Sequence, residues 1–347
     1  MKIAFRADGS KEKGMGHLMR CSAIADGFLA EGDEVIFYST YGTSGLRWLK
    51  EKNYQAIELS KGNSLEAEAE ELFILLYEAG IDILFIDSYW LSDFYIKRMG
   101  QSNAFVVALD DEHLYHYECD AVLNGNLNAE DYNYDDCAVR FRLLGGRYNI
   151  LRKEFSIVPS APIRNTVKHI LVTMGGSDCN NYTPTVLKGL GTFENLEISV
   201  VYGPLMTNRT EIEAAAVRCK SHVIIYETPS SMAELMYQSD LAISAGGGTV
   251  RELFTMGLVS LFILQADNQL SLKSYLERSG LQLCLGYHTD VSPEQITDAV
   301  QKLLEDVNIR IQYRDKMLKL LSKEGVQNII HDVKNMASTA EKRCIIP

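Results

Sequence analysis

The sequence predicts an α/β protein made of two domains, each a doubly wound parallel sheet. Short apolar runs recur along both halves; each ends in a polar corner, and a helical segment follows. This repeated order of strand, corner and helix is typical of parallel sheets wound with helices. The stretch Pro159–Pro162 carries two prolines and is the best linker candidate. We therefore expect domains over residues 1–158 and 166–330, followed by a C-terminal tail over 331–347.

In the first half, β-branched and aromatic runs mark the strands, and apolar positions at helical spacing mark the helices. The predicted strands are residues 3–5, 34–38, 81–87 and 104–109. The predicted helices begin near residue 16 and cover 44–52, 64–79 and about 92–101. Residues 120–155 are less regular: 124–128 is expected to be a loop, and the acidic stretch 130–136 a solvated face.

The second half repeats the same pattern of strands and helices. Its predicted strands are residues 169–174, 198–202, 223–226, 241–244 and 259–264. The first of its predicted helices ends near residue 190. Three more cover about 208–219, 231–237 and 250–256, and another follows residue 269. The final 50 residues are also expected to be helical.

Composition excludes several classes of function. The chain has 347 residues and a net charge of −12, which argues against sequence-independent binding to nucleic acid. Its seven cysteines are odd in number and lack metal-site spacing, so we expect reduced thiols, a cytoplasmic protein and no bound metal or cofactor. Apolar runs are far shorter than a membrane span, so stable membrane insertion is not expected.

The first polar corner carries a glycine loop, Lys13–Gly16, and a histidine, His17, at the start of a helix. Glycines let a ligand approach the backbone, and the free amides of a helix N-terminus favour an anion. A neutral imidazole at this position can take a proton from water or a hydroxyl group. The alternative is a tight turn with a surface histidine.

Other polar residues follow the predicted strands of the first half and are expected at the same edge of the sheet, where open α/β sheets bind ligands. They are Asp8, Asp87, Tyr89, Asp110 and Asp111. Each aspartate has an alternative role as a helix cap, which for Asp87 carries about equal weight.

The strongest single motif is the glycine turn Gly246–Thr249, between a buried strand and a helix. Its amides and the helix dipole can hold a diphosphate, and Glu252 can accept hydrogen bonds from ribose hydroxyls. The corner Gly175–Ser177 is the same device at the start of the second half. The alternative is a structural turn in which Glu252 only favours the helix N-terminus.

Several motifs together resemble known families. Residues 226–269 are similar to the nucleotide-binding half of MurG-type GT-B enzymes. Six further motifs, in order, resemble the PseG/SpsG family, which includes the UDP-sugar hydrolase of pseudaminic acid biosynthesis. These motifs are 6–8, 14–21, 109–112, 144–155, 174–178 and 266–269. The resemblance covers roughly residues 1–290 and implies a GT-B-like fold, with two Rossmann-like domains facing a central cleft.

The resemblance implies hydrolysis of a UDP-linked 2,4-diacetamido-2,4,6-trideoxy sugar by water attack at the anomeric carbon, with inversion and without a metal. It implies catalytic roles for His17, Tyr89 and Asn268, with His17 as general base. Sugar contacts are expected from Arg6, Asp8, Gly16, Asp110 and Gln269. Nucleotide contacts are expected from Gly175, Gly176, Ser177, Tyr226, Gly246, Gly247, Gly248, Thr249 and Glu252.

Departures from the family pattern at Ser88, Cys179 and Val259 leave the identity of the sugar open. One alternative function is a GT-B glycosyltransferase that passes the sugar to an acceptor. A second is a nucleotide-sugar-binding protein without catalysis, against which the intact His17 loop argues. The expected partner is the UDP-sugar substrate, and association with other enzymes of the same sugar pathway is compatible with the sequence.

Overall fold

The structure is a computed structural model that describes residues 1–10, 15–40, 44–60, 64–227 and 229–340. The chain divides into two compact units. Unit 1 contains Met1–Arg152 together with the chain from Glu324 on, and unit 2 contains Lys153–Lys323. Each unit is an α/β domain with its own parallel sheet, which confirms the predicted fold class.

The sheet of unit 1 has seven parallel strands within the described residues. In chain order they are β1 (Lys2–Ala7), β2 (Glu34–Thr40), β3 (Gln55–Leu59), β4 (Ile83–Asp87), β5 (Phe105–Leu109), β6 (Ala121–Asn124) and β7 (Phe141–Leu144). Their order across the sheet is β3-β2-β1-β4-β5-β6-β7. The central strands are held by stacked rings, because Phe5 of β1 stacks on Phe37 and Phe85 with centroids 5.0 Å apart.

Helices cover both faces of this sheet. They are α1 (Gly16–Ala30), α2 (Ser44–Glu51), α3 (Leu65–Ala79) and α4 (Asp93–Gly100). Leu18, Ile24 and Phe28 of α1 are buried in the core on one face, and Leu72 and Tyr95 in the core on the other. Burial on both faces explains why the central strands are near-continuous apolar runs in the sequence.

Unit 2 repeats this topology. Its strands are β8 (His169–Thr173), β9 (Glu197–Val201), β10 (His222–Tyr226), β11 (Leu241–Ala245), β12 (Ser260–Leu264) and β13 (Cys284–Tyr287). Its helices are α5 (Glu154–Ile157), α6 (Thr183–Leu190), α7 (Arg209–Ala216), α8 (Met232–Gln238), α9 (Thr249–Met256), α10 (Leu270–Arg278), α11 (Pro293–Glu305) and α12 (Val307–Leu320). The strand order is β10-β9-β8-β11-β12-β13.

Both sheets reverse their strand order at an equivalent place, beside β1 and β4 in unit 1 and beside β8 and β11 in unit 2. At such a switch point the loops after the two strands diverge and leave a crevice at the carboxyl edge, where ligands of open α/β sheets bind. The corners that begin at Asp8 and Ser88 lie at the first of these points, because Ala7 pairs with Asp87.

The last helix, α13 (Gly325–Thr339), returns to unit 1. Its residues Ile329 and Ile330 are buried in the same core as α1. At its start Gly325 meets the backbone of Asn149 so closely that a Cβ would lie 1.9 Å from the carbonyl oxygen. The structure therefore corrects the expected boundaries: the division falls after Arg152, and α13 belongs to the first domain.

No helix within the described ranges combines the length and the apolar character that crossing a bilayer requires.

Candidate active site

His17 is the second residue of α1 and lies at the switch point of unit 1. Its side chain is almost fully buried, with 8% of the residue exposed. The imidazole meets the ring of Tyr89 edge to face, with centroids 4.4 Å apart, and the ring of Trp90 at 5.9 Å. The structure thus brings together two of the predicted catalytic residues, His17 and Tyr89, which are far apart in the sequence.

The surroundings of His17 favour the neutral imidazole. Burial lowers the pKa of His17 below its usual 6.5, and Arg20 acts in the same direction. Asp87, whose Oδ1 lies 3.9 Å from His17 Nε2, pulls the pKa the other way without reversing the shift. A neutral imidazole keeps one ring nitrogen free to accept a proton near pH 7.

Arg20, one turn after His17, fixes the elements around the imidazole. It binds both carboxylate oxygens of Asp87, through Nε at 2.6 Å and Nη2 at 2.5 Å, and donates through Nη1 to Asp111 at 2.6 Å. Burial works against a charged Arg20, but Asp87 and Asp111 outweigh it and hold the pKa of Arg20 well above its usual value. The helix-cap interpretation of Asp87 is wrong: Ser92 caps α4, and Asp87 binds Arg20.

Tyr89 is tied to the same group of side chains. Its hydroxyl donates a short hydrogen bond to Asp111, which also accepts from Asn126 Nδ2 at 2.8 Å. Burial and the Asp111 charge raise the pKa of Tyr89, so the phenol stays protonated at neutral pH. With 41% of the residue exposed, Tyr89 presents a polar edge beside the buried His17.

The N-terminus of α1 differs from those of α3 and α4. Ser64 and Ser92 cap α3 and α4 through side-chain hydrogen bonds. At α1 the N-cap is Met15, and among the described residues no side chain caps the helix. Gly16 is exposed, and a Cβ on it would have open space. First-turn amides without a cap can hold a ligand oxygen. Lys13 and Gly14 of the predicted loop lie outside the described residues.

Arg6 and Asp8 lie in a buried network of unit 1. Arg6 Nη1 is 2.8 Å from Asp8 Oδ2, and Arg6 also donates to Glu68 and Tyr95 from α3 and α4. Asp8 accepts from Ser39 Oγ at 3.0 Å and from the backbone N–H of Thr40 at 2.8 Å. This packing gives both side chains a structural role and offers no support for the sugar contacts predicted for them.

The Arg6–Asp8 pair predicts a pH dependence of stability in unit 1. Burial opposes ionisation, but Arg6 and the hydrogen bonds from Thr40 outweigh it and lower the pKa of Asp8 below 3.8. The stability contribution of Asp8 is therefore fully present above its unfolded pKa, about 3.9, and is lost as pH falls through the folded value. Thermal unfolding of wild type and Asp8→Asn should show an advantage for wild type that shrinks below about pH 4. An advantage that is constant with pH contradicts this assignment.

Asp110 is also buried, with 3% of the residue exposed. It accepts from the hydroxyls of Tyr117 at 2.7 Å and Tyr134 at 2.5 Å, and from the backbone N–H of His113 at 2.8 Å. These bonds fix the loop after β5, which also carries Asp111. The predicted sugar contact of Asp110 therefore has a competing explanation, the anchoring of this loop.

In unit 2, the turn Gly246–Thr249 joins β11 to α9 at the switch point. Gly248 is the N-cap of α9, and among the described residues no side-chain cap is found there. Gly246 is tightly packed: a Cβ on it would lie 2.7 Å from Leu264 and 3.0 Å from Gln269. Gly247 and Gly248 have room for a Cβ. Packing within this unit therefore does not explain why these two positions are glycine.

The corner Gly175–Ser177 follows β8, the strand next to β11, with Thr173 opposite Ser244. Its local structure differs from the prediction that it leads directly into a helix. Helix α6 begins only at Thr183, and Asp178 already accepts from the amides of Tyr182 and Thr183 at 2.8 and 3.0 Å. Gly175 has φ +80°, a conformation that favours glycine.

The other predicted residues of unit 2 surround the same edge. Tyr226 ends β10 and is half-buried; Glu252 lies in the first turn of α9. Asn268 is exposed in the short 3₁₀ segment Asp267–Gln269 after β12. Gln269 reaches back, accepting from the Gln265 amide at 2.8 Å and lying against Gly246.

Sequence reasoning missed three residues that shape these sites, and it predicted Asp111 at the edge of the sheet without its hydrogen-bond partners. Arg20 and Asp178 lie within the recognised motifs 14–21 and 174–178, but no role was predicted for either. Gly203 packs on the corner after β8, where a Cβ would lie 2.5 Å from the Gly176 carbonyl oxygen. The Gly203–Pro204 pair was the available signal for such a turn.

Comparison with known proteins identifies a matching domain and several relatives. Residues 169–333 match the glycosyltransferase family 28 C-terminal domain. SpsG of Bacillus subtilis, a spore coat polysaccharide biosynthesis protein, is 24% identical over 94% of this chain and 96% of its own. The UDP-2,4-diacetamido-2,4,6-trideoxy-beta-L-altropyranose hydrolase of Campylobacter jejuni is 25% identical over 82% of this chain and 98% of its own.

Coverage differs among these relatives. The uncharacterized protein MJ1062 of Methanocaldococcus jannaschii is 28% identical over 78% of this chain, which spans only 57% of that protein. Among solved structures, Acinetobacter baumannii MurG matches with a TM-score of 0.69 at 14% identity, over 96% of this chain and 99% of its own.

The two sheets and the likeness to MurG define a protein with the GT-B fold. Within this class, the chain is a relative of SpsG and of the altropyranose hydrolase, which confirms the PseG/SpsG resemblance predicted from the motifs. Together with the family 28 domain, these relatives support an enzyme that processes nucleotide sugars.

Proposed function

We propose that this protein hydrolyses a UDP-linked 2,4-diacetamido-2,4,6-trideoxy sugar to the free sugar and UDP. Water attacks the anomeric carbon, the bond from that carbon to the diphosphate oxygen breaks, and the configuration inverts. The proposal is supported by the hydrolase from Campylobacter jejuni, which aligns over 98% of its length. It includes a place in surface-glycan biosynthesis, a cytoplasmic location, and association with other enzymes of that pathway.

The observation that carries the proposal is the environment of His17. The imidazole is buried, its pKa is lowered by burial, and it lies beside a helix N-terminus. A hydrolase of a sugar diphosphate needs little acid catalysis, because UDP is a stable leaving group. It needs a neutral base to take a proton from the attacking water, and His17 meets this requirement.

Nucleotide binding is assigned to unit 2. The amides of Gly247, Gly248 and Thr249 at the uncapped start of α9 would hold the diphosphate, and Glu252 would accept from the ribose hydroxyls. Tyr89 is proposed as a polar contact to the sugar, and Asn268 as a polar contact to the diphosphate. The amides at the start of α9 and Asn268 would also stabilise the negative charge that develops on the departing UDP.

The test is product analysis with a panel of UDP-activated amino sugars in H₂¹⁸O, without an acceptor. We expect UDP release with ¹⁸O in the free sugar and none in UDP, and the opposite anomer in the first NMR spectra. Label in UDP would mean attack at phosphorus and would contradict the proposal. A requirement for an acceptor would instead identify a glycosyltransferase, the alternative that the family 28 domain favours. Binding of UDP-sugars without turnover would identify a binding protein.

A substitution in the glycine turn tests the nucleotide site separately. Gly247 can accommodate a Cβ, whose nearest neighbour would be Gln269 Nε2 at 3.8 Å, so Gly247→Val should fold normally. The valine would cover the first amides of α9. Hydrogen bonds to a charged group are worth about 1.5–3 kcal/mol, so UDP should bind about 10–100-fold more weakly by calorimetry.

The matched control for Gly247→Val is Thr192→Val, an exposed position just after α6. It should bind UDP with wild-type affinity. Unchanged UDP affinity in a folded Gly247→Val protein would exclude the glycine turn as the diphosphate site.

A further inference from the structure

A second group of polar side chains in unit 1 lies outside the proposed active site. His113 follows β5, and Asp136 and Cys137 lie in the chain between β6 and β7. Among the described residues, these three side chains form a cluster of potential metal ligands. Their ligand atoms all lie within 4.8 Å of one another. The 22 residues between His113 and Asp136 hid it from spacing arguments.

The separations of the three ligand atoms match those around a single tetrahedral ion. His113 Nε2 lies 3.4 Å from Cys137 Sγ and 3.3 Å from Asp136 Oδ1, and these two atoms are 3.5 Å apart. With Zn–S of about 2.3 Å and Zn–N and Zn–O of about 2.0–2.1 Å, tetrahedral angles place such atoms about 3.3–3.6 Å apart. From this match we propose that His113, Asp136 and Cys137 bind a zinc ion.

The geometry argues against a nucleophilic Cys–His–Asp triad. In such a triad the thiol and the carboxylate bind opposite nitrogens of the imidazole. Here Cys137 and Asp136 both approach the same nitrogen, Nε2 of His113. Three donor atoms that converge on one point suit a cation, and imidazole with thiolate suits zinc in particular.

The surroundings hold these ligands in place. The buried Asp110 accepts from the backbone N–H of His113 at 2.8 Å, and the Tyr134 ring packs edge to face on the imidazole at 4.9 Å. The backbone N–H of Tyr117 donates to Cys137 Sγ at 3.3 Å, which would stabilise a bound thiolate.

The site is open on one side. The side chain of Asp136 is 62% exposed and that of His113 is 23% exposed, which gives an ion access from solvent. Water would complete the coordination at the fourth position. His113 lies two residues after Asp111, so a bound ion would stiffen the loop that holds Tyr89 and Arg20.

Cobalt is the probe that tests the proposal, because Co²⁺ takes the zinc geometry and reports a thiolate ligand. Chelator-treated protein, kept reduced without added thiols, is titrated with Co²⁺ and followed by absorption. We expect one equivalent to give a near-ultraviolet charge-transfer band and visible bands of tetrahedral intensity, both removed by Zn²⁺. A folded wild-type protein without these bands would overturn the proposal.

Variants assign the ligands. Cys137→Ser should lose the charge-transfer band. His113→Asn and Asp136→Asn should weaken metal binding by more than about 100-fold. Even residues that only hydrogen-bond to a metal ligand contribute about 10–100-fold to metal affinity. Asparagine suits position 113, because His113 has φ +55° and asparagine tolerates that conformation. Asp136 is exposed, so Asp136→Asn should fold even where Cys137→Ser does not.

Two control variants make the same types of substitution at positions outside the proposed zinc site. His116→Asn changes an exposed histidine on the same loop, and Cys179→Ser an exposed cysteine of unit 2. Both should bind Co²⁺ as wild type does. Wild-type affinity in His113→Asn, or an undiminished thiolate band in folded Cys137→Ser, would overturn the assignment.

Discussion

Replacement of His17 by asparagine is expected to lower kcat/KM for UDP-sugar hydrolysis by about 10²–10⁴-fold, the usual contribution of a general base. Asparagine cannot accept a proton near neutral pH. It is also smaller than histidine, so it fits the space between Tyr89 and Trp90. UDP affinity should be unchanged, because the nucleotide site is assigned to unit 2. Initial rates and calorimetry on the same preparation separate these two effects.

The pH profile of the wild-type enzyme gives an independent readout. A base must be neutral to act, and burial lowers the pKa of His17 below 6.5. The profile of kcat/KM should therefore be flat above this pH and fall only on the acid side of it. The acid limb should disappear from the residual activity of His17→Asn. His116→Asn, in the same unit, should keep both rate and profile.

If His17 only packed the turn, its variant would lose thermal stability and UDP-sugar binding together. A well-folded His17→Asn protein with near wild-type rate would remove the catalytic assignment. The fold and the glycine turn of unit 2 would be unaffected by that result.

The sequence was sufficient to predict most of the strands that lie inside each sheet. The exception is β6, a buried strand of four residues within a segment expected to be less regular. Segments such as 81–87 and 241–244 contain strands that are buried on both faces. Such strands are recognisable in the sequence because nearly all of their residues are apolar. The strands β3, β7 and β13 near the sheet edges were not predicted, because half-buried edges carry mixed residues. The predicted loop at 124–128 begins one residue early, since Asn124 still belongs to β6.

The domain boundary was harder to predict than the strands. The prolines of 159–162 indicate a break in secondary structure, but the break between packing units lies after Arg152. The return of α13 to unit 1 depends on contacts with α1 and the residues just after it, about 300 residues distant in the chain, such as Lys334 with Glu31. Local patterns carry no information on such contacts.

For the candidate site, topology was the useful guide. The rule that corners after parallel strands share an edge correctly predicted that His17 and Tyr89 meet. It could not distinguish side chains at that edge from those turned into the cores. Arg6 lies within β1 and Asp8 just after it, yet the two side chains are paired with each other in a buried network. Arg20 is the opposite case: its role depends on Asp87 and Asp111, 67 and 91 residues away.

Replacement of Arg20 by methionine is expected to destabilise unit 1 by about 3–5 kcal/mol, the cost of leaving a buried charge without its partner. Asp87 is fully buried, and the Arg20 side chain is only 12% exposed, so solvent cannot replace the lost bonds. Methionine keeps the unbranched stem and the helix propensity of arginine but none of its donors. Native-state hydrogen exchange of the β4 and α1 amides measures the opening free energy of this unit without requiring two-state unfolding of the whole chain.

The double variant Arg20→Met/Asp87→Asn is the matched control. It removes the buried charge of Asp87 that Arg20→Met leaves unpaired. We therefore expect β4 to regain part of the stability that the single variant loses, although an arginine has still been deleted. Arg20→Lys should fall between wild type and Arg20→Met, because an ammonium group cannot bind both oxygens of Asp87 while also reaching Asp111. If Arg20→Met changes the opening free energy by less than about 1 kcal/mol, the range of a surface ion pair, then Arg20 does not hold β4 and the loop after β5 around His17.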